Sequence, residues 1–450
     1  MISPLHAASG KGWIVGKQRL VFVASCASGL YLASGCSSAS KNNGGSPSES
    51  GASGAAGWLG SAGTASGAAG SSGGFGSSSV AGASAASGAA GASGAAGASG
   101  ALGSSGALGA SGALGASGAT GAAGSAGNCT TPPTGSALVG WAAQSGMGVT
   151  TTTGGGDATP QTVSTLAALS SAVSGTAAKV IYVSGKLLPG KISIGSNKTI
   201  VGLCGAEIHG HLGLSRSSNV IIRNLEIVGY GVGDCALDPD FDSSVGCSSG
   251  SDAVTVNNQA HHIWFDHCDI SDGTDGNLDI TQGSDFVTVS WTKFHYAPRS
   301  DDTGNDSTGA SGHRFSNLIG AADNVAGDVG HLNVTWHHDW WADNVNQRMP
   351  RTRAGKIHLF NNLFTATGNS YCSNAGQGAA LLVENSIYSG VKAPFQIDSA
   401  SVGLVSAGNT FPDSTGTTDG SGSAFTPPYA YTPDSVADLQ ASIEANAGPQ

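Results

Sequence analysis

The stretch Asn346-Gln347-Arg348-Met349-Pro350-Arg351-Thr352-Arg353-Ala354-Gly355-Lys356-Ile357-His358-Leu359-Phe360-Asn361-Asn362 sets four cations, Arg348, Arg351, Arg353 and Lys356, within nine positions. The apolar run Ile357, Leu359 and Phe360 follows at once, so the reading is a charged loop feeding a strand. The 450-residue chain has only 18 Lys and Arg against 29 Asp and Glu, a formal charge of −11, which makes this cluster a local feature. Its opposite lies upstream in Asp266, Asp269, Asp272, Asp275 and Asp279, with Asp252 on an earlier expected strand. Carboxylates this dense repel one another unless a cation or basic partner sits among them. A site for a metal ion and an anionic substrate is the functional reading; Asp as solvated turn formers is the structural one.

Short β-rich segments surround that stretch at 179–183, 198–201, 219–222, 252–256, 262–265, 286–289, 332–336, 356–360 and 381–383. In the clearest runs (198 to 219, 262 to 286, 332 through 356 to 381) the starts recur every 21 to 25 residues, about one coil of a β-solenoid. This predicts parallel strands stacked rung upon rung, with turns on a common side. A β-sandwich would favour hairpin turns at roughly 8–12 residues and fits less well. Asn224, Asn361, Asn362 and Asn385 close apolar runs and are expected to stack as polar ladders at turns. Packing is the expected role of Trp264, Trp291, Trp336, Trp340 and Trp341. Residues 163–173, with Leu166 and Leu169 at helical spacing, predict a short helix capping one end of the core.

Five blocks occur in the order found in one known family: Trp264-Phe265-Asp266-His267, Asp275-Gly276-Asn277-Leu278-Asp279-Ile280, Val287-Thr288-Val289-Ser290-Trp291, Leu318-Ile319-Gly320 and Arg348-Met349-Pro350-Arg351-Thr352-Arg353-Ala354-Gly355. They cover most of residues 251–364 and resemble the pectate lyases of polysaccharide lyase family one, as does Gly140-Trp141-Ala142-Ala143. The resemblance implies an all-β fold, a right-handed parallel β-helix. It also implies an enzyme cutting α-1,4-linked polygalacturonate by β-elimination with Ca2+ as cofactor.

Residue by residue, the resemblance assigns calcium binding to Asp275 and Asp279, four apart, and to Asp252. Gly250 stands where some relatives have a further acid, so water and substrate would complete the shell. Arg348 matches the base that removes the proton α to the sugar carboxylate, and Arg353 the binder of that carboxylate through its fork of donors. Asp266 falls in a structural motif, and His267, His295, His337, His338 and His358 are expected to lie outside catalysis. Many relatives place a substrate-binding Lys five residues before the glycine of the Leu318-Ile319-Gly320 block; Phe315 stands there, and Arg314 is the expected substitute. Arginine normally stays protonated, so its use as a base requires a desolvated place near other cations and predicts activity rising toward alkaline pH. The alternatives are a pectin lyase on methyl-esterified chains, a hydrolase using paired carboxylates, and a non-catalytic polysaccharide-binding β-helix.

The ends differ in composition from this domain. Residues 1–36 carry Lys11, Lys17 and Arg19, then an apolar run and Ala33-Ser34-Gly35-Cys36, the layout of a signal peptide with a lipoprotein-like cleavage site. Residues 37–128 are rich in Gly, Ala and Ser, without one charge from 51 to 127, and predict a disordered tether. The catalytic domain is expected at 129–450, secreted or held at the outer cell surface by a lipid on Cys36, and monomeric. Six cysteines remain beyond Cys36, an even number compatible with disulfides, with Cys235–Cys247 the simplest local closure. The acidic balance argues against nucleic acid as the main partner, whereas a basic groove still suits an acidic polysaccharide. The insertion at 297–313, with Asp301, Asp302, Asn305 and Asp306, is expected to be a solvated loop, not a second calcium site.

Overall fold

The computed structural model describes residues 131–450, apart from 232–234, 245–249, 299–312, 323–324, 400 and 424. The expected leader, Cys36, the tether, Cys129, Cys247 and the acidic part of the insertion lie outside the described residues. Strands stack in parallel on three faces of a coil. The first face runs from Lys186–Ser193 and Glu207–Ser215 through Val254–Asn257, Leu278–Ile280 and Leu318–Ile319. It ends on the first residues of Arg351–Phe360 and Ser373–Glu384, then Phe395–Ile397. A second face runs from Gln161–Val163 through Lys179–Val183, His261–Asp266 and Val334–His337 to Gly403–Ala407. The third includes Asp269–Ser271, Lys293–His295, Trp340–Trp341, Leu363–Phe364 and Ile387–Tyr388. Among the described strands only Gly403–Ala407 with Ser421–Gly422 pairs antiparallel. This is the expected parallel β-helix.

Alternation within each strand decides which side chains enter the coil. On the first face Leu212, Val254 and Leu278 stack in register, as do Leu214, Val256, Ile280 and Ile319, all inside the core. Burying each such side chain contributes about 1.5–3 kcal/mol relative to exposure. Gly213, Thr255 and Asp279, one position along, form a column on the outside. Aromatic residues fill the third face: Trp341 and Phe364 stack with centroids 4.6 Å apart, Phe364 and Tyr388 at 4.0 Å. Trp336 and Trp341 are fully buried, and Trp264 donates to Ser290 Oγ at 2.9 Å. Trp291 is stacked on His338, and with Trp340 it packs against the C-terminal helix Leu439–Asn446. The tryptophans pack, as expected.

Turns after the second-face strands repeat one geometry. Asn224, His267, Trp291, His338, Asn361 and Asn385 all have positive φ, between 42° and 58°, a region where Asn is tolerated better than most residues. Each donates its backbone N–H to the next rung, for example His338 to Asn361 O at 3.0 Å. The polar ladder runs one residue later. Asp339 Oδ1 accepts Thr292 N–H, Asn362 Oδ1 accepts Asp339 N–H, Ser386 Oγ accepts Asn362 N–H, and Asn409 Oδ1 accepts Ser386 N–H. Asn362 is therefore the ladder residue, and Asn224, Asn361 and Asn385 hold the corners.

Three expectations are corrected. The capping helix is Leu166–Val173, started by Thr165 Oγ1 accepting Ala168 N–H at 3.2 Å; Val163 belongs to the strand before it. The strand expected at 356–360 is the second half of Arg351–Phe360, which turns from the first face onto the second near Gly355. Gly355 has φ +102°, and a Cβ there would meet Leu332 O at 2.2 Å, so only glycine allows the corner. Finally, Cys204 and Cys235 each lie in a disulfide, but two of the six cysteines counted as compatible with disulfides, Cys268 and Cys372, are free. Both lie fully buried, and burial pushes the Cys268 thiol up to about 12.

Candidate active site

The outer side of the first face carries the chemistry. Asp279 stands in register with Thr255, and Arg351 with Leu318 two rungs on. Asp252 precedes the strand Val254–Asn257 and is turned over the same surface, its Oδ2 accepting the Thr255 hydroxyl at 2.8 Å. The glycine of the Asp275-Gly276-Asn277 turn opens a gap between the two acids. A Cβ built on Gly276 would lie 3.0 Å from Asp252 Oδ1 and 3.1 Å from Asp279 Oδ1.

These carboxylates are electrostatically uncomfortable. Desolvation, with repulsion from Asp275, raises Asp252 to about 7. Desolvation and the Asp252 charge hold Asp279 well above the usual carboxylate range. Asp279 Oδ1 takes the Leu318 N–H at 2.9 Å, while Asp252 Oδ1 is shielded from solvent and has no hydrogen-bond partner. Asp275 Oδ1 meets His313 Nε2 at 2.7 Å. Among the described residues no three His, Cys, Asp or Glu are already closed into a ligand set. The hard-oxygen chemistry of the acids, the orphaned Asp252 Oδ1 and the cradle at Gly276 nevertheless fit a divalent cation bound chiefly by Asp252 and Asp279.

Arg348 faces this acidic pair, and its positive charge pulls both carboxyls back toward ionisation. Its backbone is held at φ +66° by a segment running alongside: Asn346 N–H donates to Arg314 O, Ser316 N–H to Gln347 O, and Asn317 N–H to Arg348 O, at 2.8–3.0 Å. That pairing brings the Phe315 ring under the guanidinium, with Cζ 4.2 Å from the ring centroid. His313 packs on Phe315, centroids 4.2 Å apart. Arg348 Nε is buried without a hydrogen-bond partner.

Of the other candidates, Arg353 lies beyond Arg351 on the outer face and donates to Gly320 O at 3.1 Å and to Ala321 O. Arg314 sits half-buried at the start of the segment flanking Arg348. The acidic series does not stay together. Asp266 is buried on the second face among Ser136, Ser290 and His267, the structural role expected of it. Asp269 binds His295 Nε2 at 2.7 Å on the third face, and Asp272 takes the Ala297 N–H. His337, His338 and His358 are buried away from the acids, His358 bonding Tyr429 and Glu384. Sequence reading missed Phe315 as a contact of Arg348, passed over His313, and named Arg351 in the cationic cluster without giving it a role. Arg351 had a signal, two places before Arg353 on a strand of period two.

A pectate lyase family model matches residues 116–450. The chain belongs to the pectate lyase family. This lyase is 34% identical over 324 residues to pectate lyase A of Aspergillus niger, covering 69% of this chain and 87% of the relative. It is 30% identical over 295 residues to pectate lyase E of Dickeya chrysanthemi, covering 58% of this chain and 69% of that one. Among solved structures, a pectate lyase from Bacillus sp. N165 in complex with trigalacturonate superimposes with a TM-score of 0.56 at 24% identity. That match covers 69% of this chain and 98% of the other and supports the right-handed β-helix. As a family member the protein is a polysaccharide lyase.

Proposed function

We propose that this pectate lyase cleaves α-1,4-linked polygalacturonate by calcium-dependent β-elimination, releasing unsaturated oligogalacturonides. The observation that carries the proposal is Arg348 facing Asp252 and Asp279 on the outer side of the first face. Asp252, Asp275 and Asp279 are the residues that would hold Ca2+. Bound there, the cation would supply positive charge that acidifies the hydrogen α to the sugar carboxylate.

Arg348 is the general base, aimed by the Phe315 ring beneath it. Its guanidine takes the proton from the carbon α to the carboxylate. The electron pair left behind forms a double bond to the neighbouring ring carbon, and that carbon's bond to the glycosidic oxygen breaks. The departing oxygen takes a proton, leaving one unsaturated end and one new hydroxyl. Arg353 binds the sugar carboxylate, and Arg314 supplies the charge that a lysine gives in many relatives. In the same reading residues 129–450 form the lyase domain, carried on the 37–128 tether behind a 1–36 leader, secreted or lipid-anchored through Cys36.

Incubating the full chain with polygalacturonate, with and without a chelator, and following double-bond absorbance tests this. Calcium-dependent absorbance is expected; polymer binding without unsaturated product would leave only a carbohydrate-binding β-helix. Faster elimination from highly methyl-esterified pectin, insensitive to the chelator, would make it a pectin lyase.

A further inference from the structure

His313 touches both halves of the site, an acid on one side and the aromatic seat of Arg348 on the other. It stands two residues before Phe315, and in an extended segment residues i and i+2 share a side. The two rings accordingly pack, with centroids 4.2 Å apart and planes tilted by 43°. The backbone beside them is fixed. Phe315 pairs with Gln347 in parallel, the Phe315 carbonyl accepts the Tyr296 hydroxyl at 2.7 Å, and Ser316 N–H donates to Gln347 O at 3.0 Å. Gln347 leads directly into Arg348, whose guanidinium stands on the same Phe315 ring.

The imidazole also reaches the acids. Its Nε2 lies 2.7 Å from Asp275 Oδ1 and 3.2 Å from the Asp275 carbonyl oxygen. A carbonyl and an ionised carboxylate only accept, so Nε2 carries the hydrogen and donates to both. The Asp275 charge repels that of Asp252, so the carboxylate held by His313 belongs to the same acidic site. Asp252 and Asp279 are tied down by the Thr255 hydroxyl and the Leu318 N–H. The Asp275 side chain is 47% exposed, against 16% for His313. An exposed carboxylate moves among rotamers, and a cation must order it on binding. The donor at Oδ1 does that ordering in advance and leaves the second oxygen to the cation.

The geometry points to His313 as a positioning residue for both halves of the site: it fixes Asp275 for the cation and seats the Phe315 ring beneath Arg348. This rests on the proposed lyase function. The imidazole touches neither substrate nor cation and acts through those two neighbours.

Two substitutions separate the roles, with calcium binding to the full chain followed by calorimetry and elimination by absorbance. His313→Phe keeps the ring stack and loses the donor. Its calcium Kd rises about 10- to 100-fold, the usual cost of removing a partner that orients a metal ligand, and the lost turnover returns as calcium is raised. His313→Gln keeps a donor near the place of Nε2 and loses the ring. Its calcium affinity stays close to wild type, while kcat at saturating calcium falls about tenfold as the seat of the base loosens. In an Asp275→Asn background His313→Phe costs no further affinity, because the two residues act as one pair. Calcium affinity unmoved by His313→Phe, or moved equally with and without Asp275, would overturn the assignment, as would a wild type that binds no calcium. Wild-type kcat in His313→Gln would remove the Phe315 half. Calorimetry needs no turnover, so a wild type that binds calcium yet forms no unsaturated product would sink only the lyase reading.

Discussion

The Phe315 ring lies beneath the Arg348 guanidinium, 4.2 Å from centroid to Cζ. A cation over an aromatic face gains about 0.5–2 kcal/mol, and a planar guanidinium gains orientation as well. Phe315→Ala is expected to lower kcat about tenfold with little change in melting temperature. Phe315→Lys should lower it as well, because it removes the ring that orients the guanidinium, whereas Phe315→Tyr should stay near wild type. Steady-state kinetics on polygalacturonate with parallel thermal melts will check this. Unchanged kcat in the Ala variant would mean that the ring only fills space.

Arg348→Lys should cost about 10²- to 10⁴-fold in kcat, the usual scale for a positioned proton acceptor, while KM stays close to wild type. The lysine keeps the charge but loses the planar fork and its reach. Turnover near the wild-type value would remove Arg348 from the role of base.

Cation removal should be felt most at high pH. Asp252 is raised to about 7 and Asp279 is also raised, so without a cation the folded protein keeps protons that the unfolded chain releases from about pH 4 upward. The contribution of these groups to stability is present below that range and is lost as pH climbs through about 7. Calcium offsets the loss by neutralising the ionised pair. The rise in melting temperature on adding calcium should therefore be larger at pH 8.5 than at pH 5, and Asp252→Asn should shrink the difference. An equal rise at both pH values in the wild type would contradict the assignment of the cation to these acids.

Acid should unfold the protein through its buried histidines. Burial, with the nearby His338, lowers His337 to about 3, and the His338 and His358 rings are lowered too. A folded-state value below the unfolded one gives stability that is full above about pH 6.5 and falls as pH drops toward the folded value. Melting temperature should decline steadily from pH 7 to pH 4. His337→Phe, stacked on Phe360 as the imidazole is, should make that decline shallower by up to one proton's worth. An unchanged slope would assign the acid sensitivity to other groups.

The sequence by itself determined the architecture, because inside-outside alternation and a coil length of 21 to 25 residues are local properties repeated down the chain. Lys179–Val183 could be read to the residue; strands that turn a corner could not, since the bend at Gly355 depends on how closely Leu332 passes it. The arginine block and the Asp275–Asp279 pair were legible as charge clusters, and their expected roles came from the family resemblance. Only tertiary structure decided which charges meet. Asp266 and Asp269, close in sequence to Asp275, leave for other faces because the coil turns between them. Asp252 arrives from the preceding rung, and Phe315 reaches Arg348 through backbone pairing of two loops. Neighbours across rungs are set by register summed over a whole coil, and no short stretch of sequence contains that sum.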